Sequence, residues 1–217
     1  MNRVRAMLFD LDGTLLDSAP DLVRSLNWVR QSEGLGPLPV EECARYASKG
    51  ALGLLQAGMP AAGRAQFDIW RDRFLTHYAE NSCIDSRLYE GIPELLAVLA
   101  SRSIPWGIVT NKVESLTWPI IDSLEFDQGP GSVVCGDTLA RKKPDPAPVL
   151  FACRQLDAEP MDTVFVGDDV RDIQSGQAAG TQTAAVLYGY GSHELHGEVI
   201  ANSVEIRDPR DLIRLVE

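Results

Sequence analysis

Short apolar runs recur along the chain, and several of them end at a polar residue. The runs cover residues 4–9, 105–109, 132–135, 163–166 and 183–187. The segments between them have apolar residues at helical spacing and cover residues 94–101, 114–124, 148–155 and 170–179. This alternation predicts an α/β fold with a doubly wound parallel sheet. Ligands bind beyond the carboxyl ends of such strands, so we expect the site near Asp10, Thr110 and Asp168.

The stretch after the first strand breaks the alternation. From about residue 17 to 88 no convincing strand pattern is present. A first helical run closes at residues 31–34, and a second covers about residues 61–81. Glycine- and proline-rich stretches at residues 34–39 and 50–63 predict turns and irregular structure. We therefore expect a small helical cap over residues 17–88, inserted after the first strand of a core formed by residues 1–16 and 89–217. Two connections between the domains would allow a hinge.

Composition narrows the classes of partner. The 217 residues include 20 Lys and Arg against 31 Asp and Glu, which gives a net charge of −11. This charge repels polyphosphate backbones and anionic lipid, so we expect neither nucleic-acid nor membrane partners. The four cysteines are scattered without a CxxC pair, which argues for free thiols and against zinc. The N-terminal apolar run is too short for a signal peptide or a membrane span, so we expect a cytoplasmic protein, either a monomer or a homodimer.

Two carboxylates follow the first strand in the sequence Asp10-Leu11-Asp12-Gly13-Thr14. A turn at Gly13 would let both carboxylates address one small volume. Such neighbours repel each other unless a cation or a shared proton intervenes. Taken alone, the string is also compatible with a loop of turn-forming residues after a strand.

Four stretches in this order carry a resemblance to a known family: Asp10-Leu11-Asp12-Gly13-Thr14, Val109-Thr110-Asn111-Lys112, Lys143-Pro144-Asp145-Pro146 and Val166-Gly167-Asp168-Asp169-Val170-Arg171-Asp172-Ile173. With them the chain resembles the haloacid dehalogenase-like superfamily, in particular its phosphoglycolate phosphatase-like branch. The resemblance covers nearly the whole chain. It implies a Rossmann-like core with a helical cap, and Mg²⁺-dependent hydrolysis of a small phosphorylated metabolite through an aspartyl-phosphate.

Both aspartates of the first motif have a role under this resemblance. Asp10 would be the nucleophile that attacks phosphorus, and Asp12 would protonate the leaving oxygen and then activate water. The phosphoryl oxygens need donors opposite these carboxylates. The Thr110 hydroxyl, backbone N–H groups near Asn111 and the Lys143 ammonium would supply them, with Lys142 as the alternative lysine.

Mg²⁺ prefers hard oxygen ligands, and the family pattern implies Asp10, Asp168 and the backbone carbonyl of Asp12. Asp172 would orient a metal-bound water or contact Lys143, or it would be only a favourable charge at a helix N-terminus. Asp169 departs from the pattern, since many relatives carry Ser or Thr there. Three readings of Asp169 stay open: a metal ligand, a ligand of a water, or a helix cap.

Substrate choice is expected to depend on the cap. Arg45, Ser48, Lys49 and Gly50 are predicted to lie in a glycine-bounded turn, where Arg45 and Lys49 could read a carboxylate or hydroxyls. The alternative is a basic helix end in solvent. Several stretches also resemble N-acetylmuramic acid 6-phosphate phosphatases, namely residues 85–91, 106–112, 166–173 and 184–190. That substrate and phosphoglycolate each combine a phosphomonoester with a carboxylate, so a carboxylate- or sugar-bearing metabolite is expected.

Two other functions remain. A sugar phosphomutase of the β-phosphoglucomutase type needs the same four stretches, and a catalytically inactive binding module could keep the fold. The intact motif residues argue against the binding module. Asp12 argues against phosphonate-cleaving relatives and metal-free dehalogenases, which lack this pattern.

Overall fold

The computed structural model describes residues 4–124 and 126–217. In these ranges the strands are β1 (Ala6–Phe9), β2 (Leu16–Asp17), β3 (Arg87–Leu88), β4 (Trp106–Val109), β5 (Ser132–Val134), β6 (Thr163–Gly167), β7 (Gln182–Val186) and β8 (Val204–Ile206). The α-helices are α1 (Ala19–Ser32), α2 (Val40–Ala47), α3 (Gly50–Gly58), α4 (Arg64–Glu80), α5 (Ile92–Ser101), α6 (Glu114–Ser123), α7 (Ala147–Gln155) and α8 (Val170–Ala179). None of the helices in the described ranges combines the length and the apolar character needed to cross a lipid bilayer.

Six strands form one parallel sheet in the order β5-β4-β1-β6-β7-β8. The central strands β1, β4 and β6 are buried along their whole length, as expected for a parallel sheet covered on both faces. The predicted α/β class is therefore confirmed, and each of the five predicted strands is present. Strand β8 was not predicted; it is a three-residue edge strand whose residue Glu205 is exposed. Its apolar signal is too short to separate it from a loop.

The two faces of the sheet bury different neighbours. Ala6 and Leu8 of β1 belong to an apolar cluster with Val149 and Ala152 of α7. Met7 and Phe9, on the other face, belong to a larger apolar cluster that includes residues of the inserted helices. Alternate β1 residues thus point to opposite sides, and this strand is held rigidly where Asp10 leaves it.

The insert contains four helices, not two. Helix α2 lies between the two glycine- and proline-rich stretches, and α3 occupies residues 50–58 of the second, so the expectation of irregular structure is wrong for those residues. Residues 34–39 and 59–63 lie outside helices and strands, as expected. Gly58, at the end of α3, is a packing position: a Cβ there would lie 2.7 Å from the Leu26 side chain. Glycine therefore lets α3 approach α1 closely, and a composition pattern cannot distinguish this from a chain break.

Short antiparallel strands connect the insert to the core. Leu16 pairs with Leu88 and Asp17 with Arg87, so β2 and β3 lie at the two ends of the segment in which no strand was predicted. The buried Asp21 side chain accepts hydrogen bonds from the backbone N–H groups of Ile84 (3.1 Å), Asp85 (2.9 Å) and Ser86 (3.1 Å). Helix α1 thereby holds the returning connection in place. The exact division into cap and core stays a prediction.

Candidate active site

The carboxyl ends of three neighbouring strands meet at one cleft. Asp10 follows β1, Thr110 follows β4 and Asp168 follows β6, and β1 pairs with both of the other strands. The cleft has a volume of about 570 Å³ and lies between this edge of the sheet and the cap helices. The structure thus places the three expected positions together. The cleft lining also includes Asp12, Asn111, Lys143, Asp169 and Asp172.

Lys143 is buried between two carboxylates at the base of the cleft. Its Nζ lies 2.8 Å from Asp10 Oδ1 and 2.7 Å from Asp172 Oδ1, and it donates to the Val109 carbonyl at 2.7 Å. All three ammonium protons therefore have a protein acceptor. Lys142 is exposed, so the structure favours Lys143 over the alternative lysine. Asp10 Oδ1 also accepts from the Leu11 N–H at 2.8 Å, while no described residue hydrogen-bonds to Asp10 Oδ2.

Three carboxylates converge beside Lys143. One oxygen each from Asp10, Asp168 and Asp172 lies within 4.8 Å of the others. Burial, and then the charges of Asp10 and Asp172, raises the pKa of Asp168 well above its usual value. Burial, and then Asp10, raises the pKa of Asp172 to about 7. These shifts reflect uncompensated negative charge, and the donors are hard oxygens, so the cluster fits a divalent cation.

The loops around Asp168 leave no room for a side chain. Gly13 has φ +85°, and a Cβ there would lie 2.2 Å from Asp168 Oδ2. A Cβ on Gly189 would lie 2.4 Å from the Asp168 Cβ. Asp168 accepts from the Thr14 hydroxyl at 3.1 Å and from the Gly191 N–H at 2.8 Å. Glycine is therefore required at these two positions so that the backbone can enclose this carboxylate.

Asp12 is held through one of its two oxygens. Its Oδ1 accepts from the Ser18 hydroxyl at 2.6 Å and from Lys112 Nζ at 2.8 Å. Lys112 Nζ also donates to the Tyr78 hydroxyl at 2.8 Å, and Tyr78 belongs to helix α4 of the cap. Burial opposes the charge on Lys112, but Asp12 outweighs it and raises the pKa of the lysine.

The predicted phosphate donors have different surroundings. The buried Thr110 Oγ1 accepts from the Lys112 N–H at 3.2 Å, which leaves the hydroxyl proton for a ligand. The Asn111 side chain donates to the Lys143 carbonyl at 3.0 Å and so ties two loops of the site together. Asn111 Oδ1 is buried without a hydrogen-bond partner among the described residues.

Asp169 begins helix α8. Its carboxylate accepts from the Arg171 N–H at 2.8 Å, and the Asp172 carboxylate accepts from the Asp169 N–H at 3.0 Å, which together form a capping box. Two further contacts of 2.7 and 2.8 Å bind the Arg171 guanidinium side-on. Burial opposes ionisation, but the Arg171 hydrogen bonds prevail and lower the pKa of Asp169. Of the three open readings, the structure favours the helix cap.

The two candidate cap residues are placed differently. Lys49 lines the cleft and pairs with Glu194 of the core at 2.8 Å. Arg45 lies on helix α2 instead of in the expected turn. Its guanidinium contacts the Tyr46 hydroxyl at 2.7 Å, and it is not among the described residues that line the cleft.

No role was predicted from the sequence for three of the cleft residues, namely Tyr78, Lys112 and Arg171. Lys112 follows directly after Thr110 and Asn111, and Arg171 lies between two motif aspartates. Their positions within the motifs could therefore have indicated that they belong to the site. Tyr78 had no such signal, because only the folded cap brings it to Lys112.

Comparison with known proteins identifies the family. Residues 7–186 match the family of haloacid dehalogenase-like hydrolases. The chain is 40% identical to an N-acetylmuramic acid 6-phosphate phosphatase of Pseudomonas aeruginosa over 216 residues, which cover 99% of this chain and 96% of the relative. It is 38% identical to a phosphoglycolate phosphatase of Xylella fastidiosa over 88% of this chain and 83% of the relative.

A solved structure gives the same result for the fold. It is the crystal structure of a predicted phosphoglycolate phosphatase from Haemophilus somnus 129PT, which superimposes on this chain with a TM-score of 0.86. The two chains are 26% identical, and the superposition covers 100% of each. The expected family is thereby confirmed. The chain belongs to the haloacid dehalogenase-like hydrolases and is a phosphatase of that family.

Proposed function

We propose that this phosphatase uses Mg²⁺ and an aspartyl-phosphate intermediate to hydrolyse a carboxylate-bearing sugar phosphate, with N-acetylmuramic acid 6-phosphate as the substrate. The observation that carries the proposal is the cleft of about 570 Å³ above the Asp10 carboxylate. This volume lies in the middle of the roughly 300–1,000 Å³ range of small-molecule sites. Phosphoglycolate would leave most of it filled with water, whereas an N-acylated sugar phosphate would occupy a much larger share.

The chain's own residues supply two half-reactions. Asp10 Oδ2 attacks phosphorus, the bond to the leaving oxygen breaks, and Asp12 gives that oxygen a proton. In the second half, Asp12 takes a proton from water, the water oxygen attacks phosphorus, and the bond to Asp10 breaks. Thr110 and backbone N–H groups bind phosphoryl oxygens throughout. Mg²⁺, held by Asp10, Asp168 and the Asp12 carbonyl with Asp172 nearby, would neutralise charge on the phosphoryl group.

The walls of the cleft suit an amphipathic substrate. Phe74 and Leu75 of the cap and Val113 and Leu116 of the core form apolar walls that could contact a sugar face or a methyl group. Lys49 and Arg171 also line the cleft and are cationic. These charges could bind the carboxylate, and phosphate-bearing metabolites lacking one would not use them.

A substrate panel tests this proposal. We expect kcat/KM for N-acetylmuramic acid 6-phosphate to exceed that for N-acetylglucosamine 6-phosphate by at least about tenfold, because the second sugar lacks the carboxylate. Phosphate release would be measured with Mg²⁺ and without a bisphosphate activator, which also separates hydrolysis from mutase chemistry. In Lys49→Ala the preference should shrink, and in Arg45→Ala it should change less because Arg45 lies outside the cleft lining. A higher kcat/KM for 2-phosphoglycolate than for both sugars would reject the proposed substrate.

Mg²⁺ should stabilise the fold more at pH 8 than at pH 5. In the metal-free folded state the pKa of Asp168 is raised and that of Asp172 is about 7, so both carboxyls stay protonated above about pH 4. In the unfolded chain the same groups lose their protons near about pH 4. The metal-free protein therefore loses stability as pH rises to about 7, and Mg²⁺ must displace those protons at low pH. At pH 8 and a concentration 100 times its Kd, Mg²⁺ should contribute about 2.7 kcal/mol.

Thermal melting with and without Mg²⁺ at the two pH values measures this increment. Asp168→Asn removes one proposed ligand and should abolish most of the increment at pH 8. An equal increment at both pH values, or one that survives in Asp168→Asn, would show that the cluster does not bind the ion.

We also propose a cytoplasmic location and leave both a monomer and a homodimer open. The four cysteines are free thiols, and three of them, Cys43, Cys135 and Cys153, are buried. Such thiols suit a reducing compartment. Cell fractionation would contradict this location by finding the protein outside the cytoplasm, and sedimentation would give the oligomeric state.

A further inference from the structure

We propose that Lys112 is a positioning residue for Asp12, and that Tyr78 of the cap fixes Lys112 in the position from which it does so. This inference rests on the proposed function, in which Asp12 transfers the proton to the leaving oxygen. The Asp12 carboxylate is then oriented by a contact across the cleft. It has the correct orientation only when the cap is packed on the core.

The first observation concerns the two oxygens of Asp12. Both protein donors, the Ser18 hydroxyl at 2.6 Å and Lys112 Nζ at 2.8 Å, bind Oδ1. No described residue hydrogen-bonds to Oδ2, and the residue lines the cleft with a side chain that is 20% exposed. Two donors on one oxygen fix the rotation of the carboxylate. Oδ2 is thereby the oxygen left for the substrate.

The second observation concerns the support of Ser18 and Lys112. Ser18 is at the start of the cap, directly after β2, and its hydroxyl also hydrogen-bonds to the Tyr190 hydroxyl of the core at 2.9 Å. One side of Asp12 is therefore held next to the β2 connection by a residue that is itself bonded to the core. On the other side, Lys112 Nζ lies 2.8 Å from the Tyr78 hydroxyl and 4.8 Å from the centre of its ring. The Lys112 side chain is only 7% exposed. A lysine buried this deeply has few alternative partners, so its contacts define its position.

The third observation is that Tyr78 moves with the cap. Tyr78 is buried in the last turns of α4, one turn after Phe74, whose ring is stacked with it at 6.4 Å. Lys112 lies on the core loop between β4 and α6. The hydrogen bond between them therefore joins the two walls of the cleft. If the cap opened at the β2–β3 connections, this bond would break, and Lys112 would lose the contact that directs it to Asp12.

The consequence is a link between closure and proton transfer. When the cleft is open to water, Asp12 is held from the Ser18 side alone. When the cap packs on the core, Lys112 is held between Tyr78 and Asp12, and Oδ2 is presented to the leaving oxygen inside a closed site. The residue acts through Asp12 and need not touch the substrate.

Two variants test the proposal. Lys112→Met keeps the length of the side chain and removes its charge, and Tyr78→Phe removes only the hydroxyl. The first phosphoryl transfer would be measured by single-turnover kinetics on an alkyl phosphate, the best substrate of the panel, and on p-nitrophenyl phosphate. The nitrophenolate group leaves without a proton, so only the alkyl ester depends on the orientation of Asp12.

We expect the saturating rate with the alkyl ester to fall about 100-fold in Lys112→Met and about 3- to 10-fold in Tyr78→Phe. The rate with the aryl ester should fall less than about threefold in both variants. The half-saturating concentration should stay unchanged. The double variant should be no slower than Lys112→Met, because the two residues act in one chain of contacts.

Lys142→Met is the matched control. It removes one positive charge from the same cleft, but the Lys142 side chain is exposed and makes no ion pair or hydrogen bond with the described residues. It should keep the wild-type ratio of the two esters. If Lys112→Met fails to fold, Tyr78→Phe alone still tests the proposal through the same ratio.

Three results would overturn the inference while leaving the phosphatase intact. Equal losses on both esters would place Lys112 at the transferring phosphoryl group or in the general fold. A raised half-saturating concentration with an unchanged saturating rate would make Lys112 a substrate-binding residue. An unchanged ratio in both variants would show that Asp12 does not need it. Failure of the wild-type protein to release phosphate from any ester would instead contradict the proposed function.

Discussion

Asp10→Asn is expected to lower turnover by at least about 10⁴-fold while the protein stays folded. Removal of a catalytic nucleophile costs about 10⁶ in kcat where it has been measured, and the residual rate depends on how well the rest of the site works alone. The amide that replaces the carboxylate has nearly the same shape and can still accept from Lys143 and from the Leu11 N–H. It cannot supply the anionic oxygen that attacks phosphorus.

Phosphate release and trapping of the phosphoenzyme would be measured together. Acid quenching of the wild-type protein during turnover should leave a phosphoryl group on Asp10, seen as a mass increase of the peptide that contains it. Asp10→Asn should show neither the label nor turnover, and a near-native melting temperature would confirm that the fold is retained. Turnover within about tenfold of the wild type would reject the covalent route.

The positions of the site were predictable because they depend on local sequence and one general rule. Each of Asp10, Thr110 and Asp168 comes directly after a buried apolar run, and the carboxyl ends of adjacent parallel strands meet at one edge of the sheet. The Asp169 and Asp172 pair has the spacing of a capping box, so its local role could also have been inferred from the sequence.

The parts that escaped prediction depend on packing between distant segments. Lys112 was visible in its motif, but its partner Tyr78 is 34 residues away in the sequence, on a cap helix. The same holds for Gly58, whose missing side chain makes room for Leu26 across two helices. A glycine in such a place has the same local pattern as a glycine in a turn, and only the tertiary contact distinguishes the two.

Lys143→Met is expected to destabilise the metal-free protein by about 3–5 kcal/mol at pH 8. Lys143 is only 3% exposed in the wild-type protein, and its ammonium lies between the carboxylates of Asp10 and Asp172. Its removal leaves both buried charges without their cation, and the Val109 carbonyl loses its donor. Urea unfolding in the presence of a chelator would give the difference in the free energy of unfolding, and turnover should also be lost.

The pH dependence of that loss distinguishes a missing charge partner from a packing defect. The pKa of Asp172 is raised to about 7 by burial and by Asp10, even with Lys143 in place, and removal of the lysine must raise it further. At pH 5 the Asp172 carboxyl is then protonated in the folded state and needs no cation, so the destabilisation should shrink by at least about 1 kcal/mol between pH 8 and pH 5. Lys142→Met, which removes an exposed charge, should change stability by less than about 0.5 kcal/mol at either pH. A constant loss at both pH values would attribute the effect of Lys143 to the volume of its side chain, and the base of the cleft would then not depend on its charge balance.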